Sequence, residues 1–168
     1  MNKIKEKIPN YKIYLLSILV IIIDQISKLI VVKNMNIGEE IVIIKKFFSI
    51  LYVTNTGAAF SMLENSTTLL IIISLFCLAL IVSLLKKEKD ITPIKIISFG
   101  ILIGGMISNL IDRVFYKNVI DFLSFTIFNY KFPVFNIADI GITIGVALVL
   151  FLQYNNEKKE KKYEKQDR

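Results

Sequence analysis

The sequence predicts a mainly α membrane protein: a four-transmembrane-helix bundle with a small extracytoplasmic β-rich segment and a short interfacial helix. Three observations lead there. The chain has 168 residues, 54% of them hydrophobic, and a mean hydropathy of +0.60, too apolar for an ordinary water-soluble domain. Four apolar runs approach the length of about 20 residues that a helix needs to cross a hydrocarbon core about 30 Å thick. The basic residues gather in clusters that flank those runs instead of spreading over the chain.

The first span is expected over residues 11–32, behind Lys3, Lys5, Lys7 and Lys12. A basic start followed by an apolar stretch is also the layout of a cleavable signal sequence. Here the stretch carries Asp24, Gln25 and Lys28, and no small-x-small cleavage site follows, so it reads as a retained span. The outer segment 33–66 has structure of its own. Ile41–Ile44 and Phe47–Val53 are rich in β-branched and aromatic residues, and Asn55-Thr56-Gly57 is a turn signal, which predicts a strand pair lying on the membrane. Phe60–Leu63 is too apolar for a free loop and is expected to be the short interfacial helix.

The second span, 67–85, contains no charge and runs into a basic cluster of Lys86, Lys87, Lys89 and Lys95. The third is expected over 94–114 and the fourth over 135–154, with a second outer segment, 115–134, between them. Residues 1–154 then form a single membrane domain. Residues 155–168 form a charged tail, expected to be disordered or a frayed helix. Four spans place both termini on one side of the membrane. That side holds most of the 21 basic residues, so the positive-inside rule assigns it to the cytoplasm.

Composition also removes functions. There is no histidine, which excludes Ser-His and Cys-His catalysis and histidine-ligated metal sites. The single cysteine, Cys77, lies in an apolar run and cannot form an internal disulfide. The net charge of +7 comes from clusters beside apolar runs, which points to membrane lipids and not to nucleic acid.

A charged side chain at the centre of a spanning helix costs about 2.5–3.5 kcal/mol on insertion scales. Asp24 and Lys28 are four apart and share a helix face, either as an internal ion pair or as part of a site. Asn109, Asp112 and Arg113 follow i, i+3, i+4 spacing near the outer end of the third span. Gly104 and Ser108 form a small-xxx-small pair suited to close helix contact. Two more carboxylates follow, Asp121 just past the third span and Asp139 at the start of the fourth. Asn136 with Asp139 reads as a helix cap. The alternative is that Asp121 and Asp139 meet at the outer surface. Two carboxylates in one site share a proton. The ionised member can deprotonate an attacking water while the protonated member donates to a carbonyl oxygen, which hydrolyses a peptide without histidine, serine or metal.

Five stretches stand in a telling order: Asp24-Gln25-x-x-Lys28, Asn55-x-Gly57-Ala58-Ala59-Phe60, Gly104-Gly105 through Asn109-x-x-Asp112-Arg113, Val119-x-Asp121-Phe122 and Phe135-Asn136-x-Ala138-Asp139. Together with four spans, this pattern resembles bacterial lipoprotein signal peptidase (signal peptidase II). The resemblance implies a membrane aspartate endopeptidase of the bacterial cytoplasmic membrane with its active site on the extracytoplasmic face. Such an enzyme removes the signal peptide from diacylglyceryl-modified prolipoproteins by cleaving before the lipidated cysteine. It also implies Asp121 and Asp139 as catalytic dyad, and Asn55, Gly57, Asn109, Arg113 and Asn136 as residues that hold substrate and dyad. Asp24, Lys28 and Asp112 would be supporting or positioning members. No cofactor, no metal and a monomer are expected. One departure is Ser108, where the family often has glycine. A small transporter or proton-relay protein is the rival reading, since charged residues within spans suit that role too. A noncatalytic scaffold is a third.

Overall fold

The computed structural model describes residues 11–57, 66–88 and 91–166. In chain order their elements are α1 (Tyr11–Asn34), β1 (Glu40–Ile44), β2 (Phe48–Asn55), α2 (Thr67–Lys87), α3 (Pro93–Tyr116), β3 (Val119–Ile127), β4 (Tyr130–Lys131) and α4 (Ile137–Gln166). The helices long and apolar enough to cross a membrane are Tyr11–Asn34, Thr67–Lys87, Pro93–Tyr116 and Ile137–Asn155. The expected spans therefore stand, with ends moved by one or two residues. The fourth begins at Ile137 instead of 135 because Phe135 is engaged in a β-bridge with Leu123. The helix then runs on to Gln166, through the tail for which disorder or a frayed helix was expected. Glu, Lys and Gln, which fill that stretch, are strong helix formers.

Packing follows small and polar residues, because lipid tails remove any hydrophobic reason for helices to associate. In α1 the buried residues are Ile13, Ser17, Asp24, Lys28 and Val31, one narrow stripe at intervals of three, four and seven. Leu16 and Val20 flank that stripe against Gly100 and Gly104 of α3, while Ile18, Leu19, Ile22, Ile23 and Ile26 face outward as exposed apolar surface. The central helix is α3, with α1 and α4 on two sides. A Cβ added at Gly104 would sit 2.7 Å from the Ser17 carbonyl oxygen of α1, and one at Gly105 would sit 2.5 Å from the Ala138 carbonyl oxygen of α4. Ser17 Oγ donates to the Gly100 carbonyl at 3.0 Å, which fixes the same α1–α3 contact. At the opposite end of the bundle from the sheet, Ile13, Leu85, Phe99, Leu102, Ile103 and Val149 form an apolar cluster.

The predicted strand pair is present as β1 and β2, antiparallel, with Glu40 opposite Leu51 and Ile41 opposite Ile50. The segment 115–134 is more than the connection expected. Its Val119–Ile127 stretch is a nine-residue strand that pairs with β2 and extends the sheet to the order β1-β2-β3-β4. The register places Val53 opposite Asp121 and Asn55 opposite Val119. Tyr52, Ile120 and Phe122 seat the sheet on Val31 and Met35 at the end of α1. Glu40 and Lys131, on the two edge strands, approach to 3.6 Å. Their long side chains reach across the sheet to meet. The interfacial helix expected over Phe60–Leu63 lies outside the described residues, as do Ala58 and Ala59.

Candidate active site

Chain direction brings the polar residues together. α1 and α3 both end at the sheet, and α4 begins there, so the last turns of two helices and the first turn of a third converge under β2 and β3. At their centre is Lys28, fully buried. Its Nζ lies 2.7 Å from Asp24 Oδ2 and 2.8 Å from Asp112 Oδ2. It also donates to Asn109 Oδ1 at 3.0 Å. Of the two readings left open for Asp24 and Lys28, the internal ion pair is present, and Asp112 of α3 completes it. Buried charges are tolerated only when paired and fully hydrogen-bonded, and these are. Ser108 Oγ donates to Asp24 Oδ2 at 2.7 Å. Gln25 Nε2 donates to Asp112 Oδ1 at 2.7 Å and to Ser108 Oγ at 3.0 Å.

The remaining acceptor capacity goes to backbone. Asp24 Oδ1 accepts the amide of Ala138 at 2.8 Å, and Asp112 Oδ2 accepts the amide of Ile120 at 3.3 Å. Ile120 precedes Asp121 and Ala138 precedes Asp139. One buried ion triad therefore grips the chain next to each of the two remaining carboxylates.

Those carboxylates meet at Asn136. Its Nδ2 donates to Asp121 Oδ1 at 2.6 Å. Its Oδ1 accepts the Asp139 amide at 2.9 Å, and its own amide donates to Asp139 Oδ2 at 3.1 Å. The last two bonds are the reciprocal helix cap that the spacing predicted. The cap and the shared site, alternatives in the sequence, are one arrangement. Asn109 closes the other side, with Nδ2 donating to Asp139 Oδ1 at 2.8 Å. Asn55 Nδ2 donates to Asp121 Oδ2 at 3.1 Å, and Asn55 Oδ1 accepts the Gly57 amide at 2.9 Å. Arg113 reaches over from α3, with Nη2 donating to the Gly57 carbonyl at 3.2 Å and Nη1 to the Asn109 carbonyl at 3.3 Å.

Burial of Asp121 and the neighbouring charge of Asp139 push the Asp121 carboxyl up to about 7, against the opposing effect of hydrogen bonds from Asn55 and Asn136 and the charge of Lys28. Asp121 is buried, whereas Asp139 is partly open. The arrangement can hold a proton on the inner carboxyl while the outer one meets water. Among the described residues no group of three or more His, Cys, Asp or Glu is arranged to hold a metal ion.

All ten residues singled out in the sequence fall in this one network. Two members were not singled out. Gln25 had a visible signal, a polar side chain inside an apolar span, while Ser108 looked like a packing residue. The Ile120 and Ala138 amides have no signature in the sequence at all.

The chain is similar to known proteins over most of its length. A lipoprotein signal peptidase of Anoxybacillus flavithermus (strain DSM 21510 / WK1) is 41% identical over 151 residues, covering 88% of each chain. A solved bacterial membrane enzyme, determined by the in meso method at 2.3 Å, superposes with a TM-score of 0.81 at 33% identity, covering 88% of this chain and 90% of that one. A second bacterial membrane enzyme, solved by the same method at 1.9 Å, gives 0.76 at 35% identity, covering 84% and 91%. The family model for signal peptidase (SPase) II matches residues 16–154, most of the chain, and the chain therefore belongs to the signal peptidase II family.

Proposed function

We propose that this chain is a membrane aspartate endopeptidase that removes signal peptides from diacylglyceryl-modified prolipoproteins, cutting before the lipidated cysteine, with Asp121 and Asp139 as its catalytic dyad. The observation that carries the assignment is the single side chain of Asn136 bonded to Asp121 while its backbone and carbonyl clasp Asp139. The two carboxyls share one proton. The ionised one takes a proton from water as that water attacks the scissile carbonyl, and the protonated one donates to the carbonyl oxygen. The tetrahedral intermediate collapses when a proton reaches the leaving amine. Burial makes Asp121 the natural holder of the resting proton, and partial exposure makes Asp139 the one that meets water.

Asn55, Gly57, Asn109, Arg113 and Asn136 hold the substrate backbone and the dyad. Asp24, Lys28 and Asp112 set the position of both acids through the Ala138 and Ile120 amides. The basic clusters support a topology with both termini in the cytoplasm and the sheet end outside. A transporter would need polar groups through the depth of the bundle. The α3 stretch from Phe99 to Ile107 and the α1 stretch from Ile18 to Ile23 contain none, so the polar network at the sheet end is not continued through the middle of these two helices.

The test is cleavage of a purified lipidated precursor by the protein in proteoliposomes. Asp121→Asn and Asp139→Asn are each expected to abolish cleavage while the protein still inserts and elutes as the folded species. Wild-type processing by either variant removes the dyad. Equal cleavage of precursors with and without the diacylglyceryl group removes the lipid requirement.

A further inference from the structure

The hairpin joining β3 to β4 carries an unexplained cost. Ile127 pairs with Tyr130, so the turn has two central residues, Phe128 and Asn129. Both have positive φ, 50° and 64°. Asparagine adopts that conformation readily, whereas a residue such as phenylalanine forced into it costs roughly 1 kcal/mol. The Phe128 ring gains nothing from the protein in return, since it is 99% exposed. A strained, bulky apolar residue thrust into open space points to something outside the chain that receives it.

We propose that this hairpin tip, led by Phe128, is an anchor that inserts into the headgroup layer of an anionic bilayer. Its neighbours have the composition of an interface. Ile127, Tyr130 and Phe132 are exposed around it, and the Tyr130 and Phe132 rings meet edge to face at 5.0 Å. The β1–β2 turn ends beside it, because the Thr126 amide donates to the Phe47 carbonyl at 2.8 Å. That turn brings Lys45 and Lys46, both exposed, next to the exposed Phe47. Aromatic rings at the headgroup level with lysines reaching lipid phosphates are the usual chemistry of that layer. The surface is also continuous with lipid-facing protein. The edge strand β1 exposes Ile41, Val42, Ile43 and Ile44, a row that would invite edge-to-edge aggregation in water, and the spanning helices expose apolar faces below. Lysines alone would suit an acidic peptide, but that partner would not take up so many bare hydrocarbon side chains. Seven positions, roughly 23 Å of strand, separate Phe128 from Asp121. An anchor at one end of β3 therefore sets the height of the carboxyl at the other.

The chain contains no tryptophan, so Phe128→Trp gives a single reporter. The variant is reconstituted in phosphatidylglycerol/phosphatidylcholine vesicles with bromines placed high or low on the acyl chains. The expected result is blue-shifted emission, quenched more by high bromines than by low ones and shielded from iodide. Quenching should weaken in phosphatidylcholine alone, and weaken again when Lys45→Gln and Lys46→Gln are added. Emission like indole in water, open to iodide and untouched by bromines, overturns the proposal. Blue emission insensitive to both quenchers also overturns it, since it means the tip is covered by protein such as a second copy. Equal quenching with and without anionic lipid overturns the anionic headgroup as the receiver. Precursor cleavage measured on the same vesicles keeps the two readings apart, because loss of activity with the anchor intact bears on the enzyme and not on the tip.

Discussion

Asn136 has one side chain and two tasks, and its fully buried position makes both obligatory. Its carbonyl oxygen caps α4 at Asp139, and its amide group steadies Asp121. The hydrogen bonds that Asp121 accepts act against burial, so they set where it titrates. With its folded value raised to about 7 from 3.8, Asp121 holds a proton in the folded protein that it would lose when unfolded. Its contribution to stability therefore declines as pH rises between those values. Under the proposed mechanism the same proton serves catalysis, so kcat/KM is expected to fall on the alkaline side with a midpoint near 7. Asn55→Ala removes a bond that favours the charged carboxylate, and the alkaline limb should move to higher pH. A pH–rate profile of the two proteins checks both statements, and a limb that stays in place or moves down contradicts them. Asp24 acts at one remove. Asp24→Asn keeps an oxygen for the Ala138 amide and leaves Lys28 paired with Asp112. The neutral amide holds the Ala138 backbone more weakly than the carboxylate does, so Asp139 is held less firmly, and kcat should fall by about 10–100-fold with KM little changed. Kinetics normalised to folded protein distinguish this from simple loss of stability. Asp24 and Lys28 were legible in the sequence because charge inside a span demands an explanation. Gln25 and Ser108 acquire their roles only when α1 and α3 approach, and no spacing rule reports that.

Elements show where pattern reading succeeds. The four spans follow from apolar length, and the β1–β2 pair follows from β-branched runs and a turn. β3 was missed because Val119–Ile127 sits in a stretch short enough to pass for a simple connection, although Val, Ile, Phe and Thr fill it. That strand, not a loop, delivers Asp121, and its pairing with β2 brings Asn55 alongside. The start of α4 is equally dependent on a neighbour. Gly105 leaves room for the Ala138 carbonyl, with 2.5 Å available to an added Cβ. Gly105→Ala must push α4 away from α3 just before Asp139. It should cost about 1–3 kcal/mol of stability and reduce cleavage further than that loss alone explains. Thermal unfolding in detergent and activity per folded molecule measure the two parts. An alanine variant with unchanged activity would show that the approach of α4 does not set the site.

At the scale of the molecule, one end is apolar packing and the other is polar chemistry. The apolar cluster from Ile13 to Val149 serves as a base, and the buried ion triad of Asp24, Lys28 and Asp112 collects beneath the sheet. The arrangement also fixes an order of events. During synthesis α1 emerges first, carrying Asp24 and Lys28, which neutralise each other within one helix and ease its entry into lipid. Asp112 arrives with the third helix. The Ala138 amide that occupies the last oxygen of Asp24 arrives only with the fourth, together with Asp139 itself. A chain that stops before the fourth helix therefore carries the ion pair of the first but lacks Asp139, so the two carboxylates come together only once the last span is made.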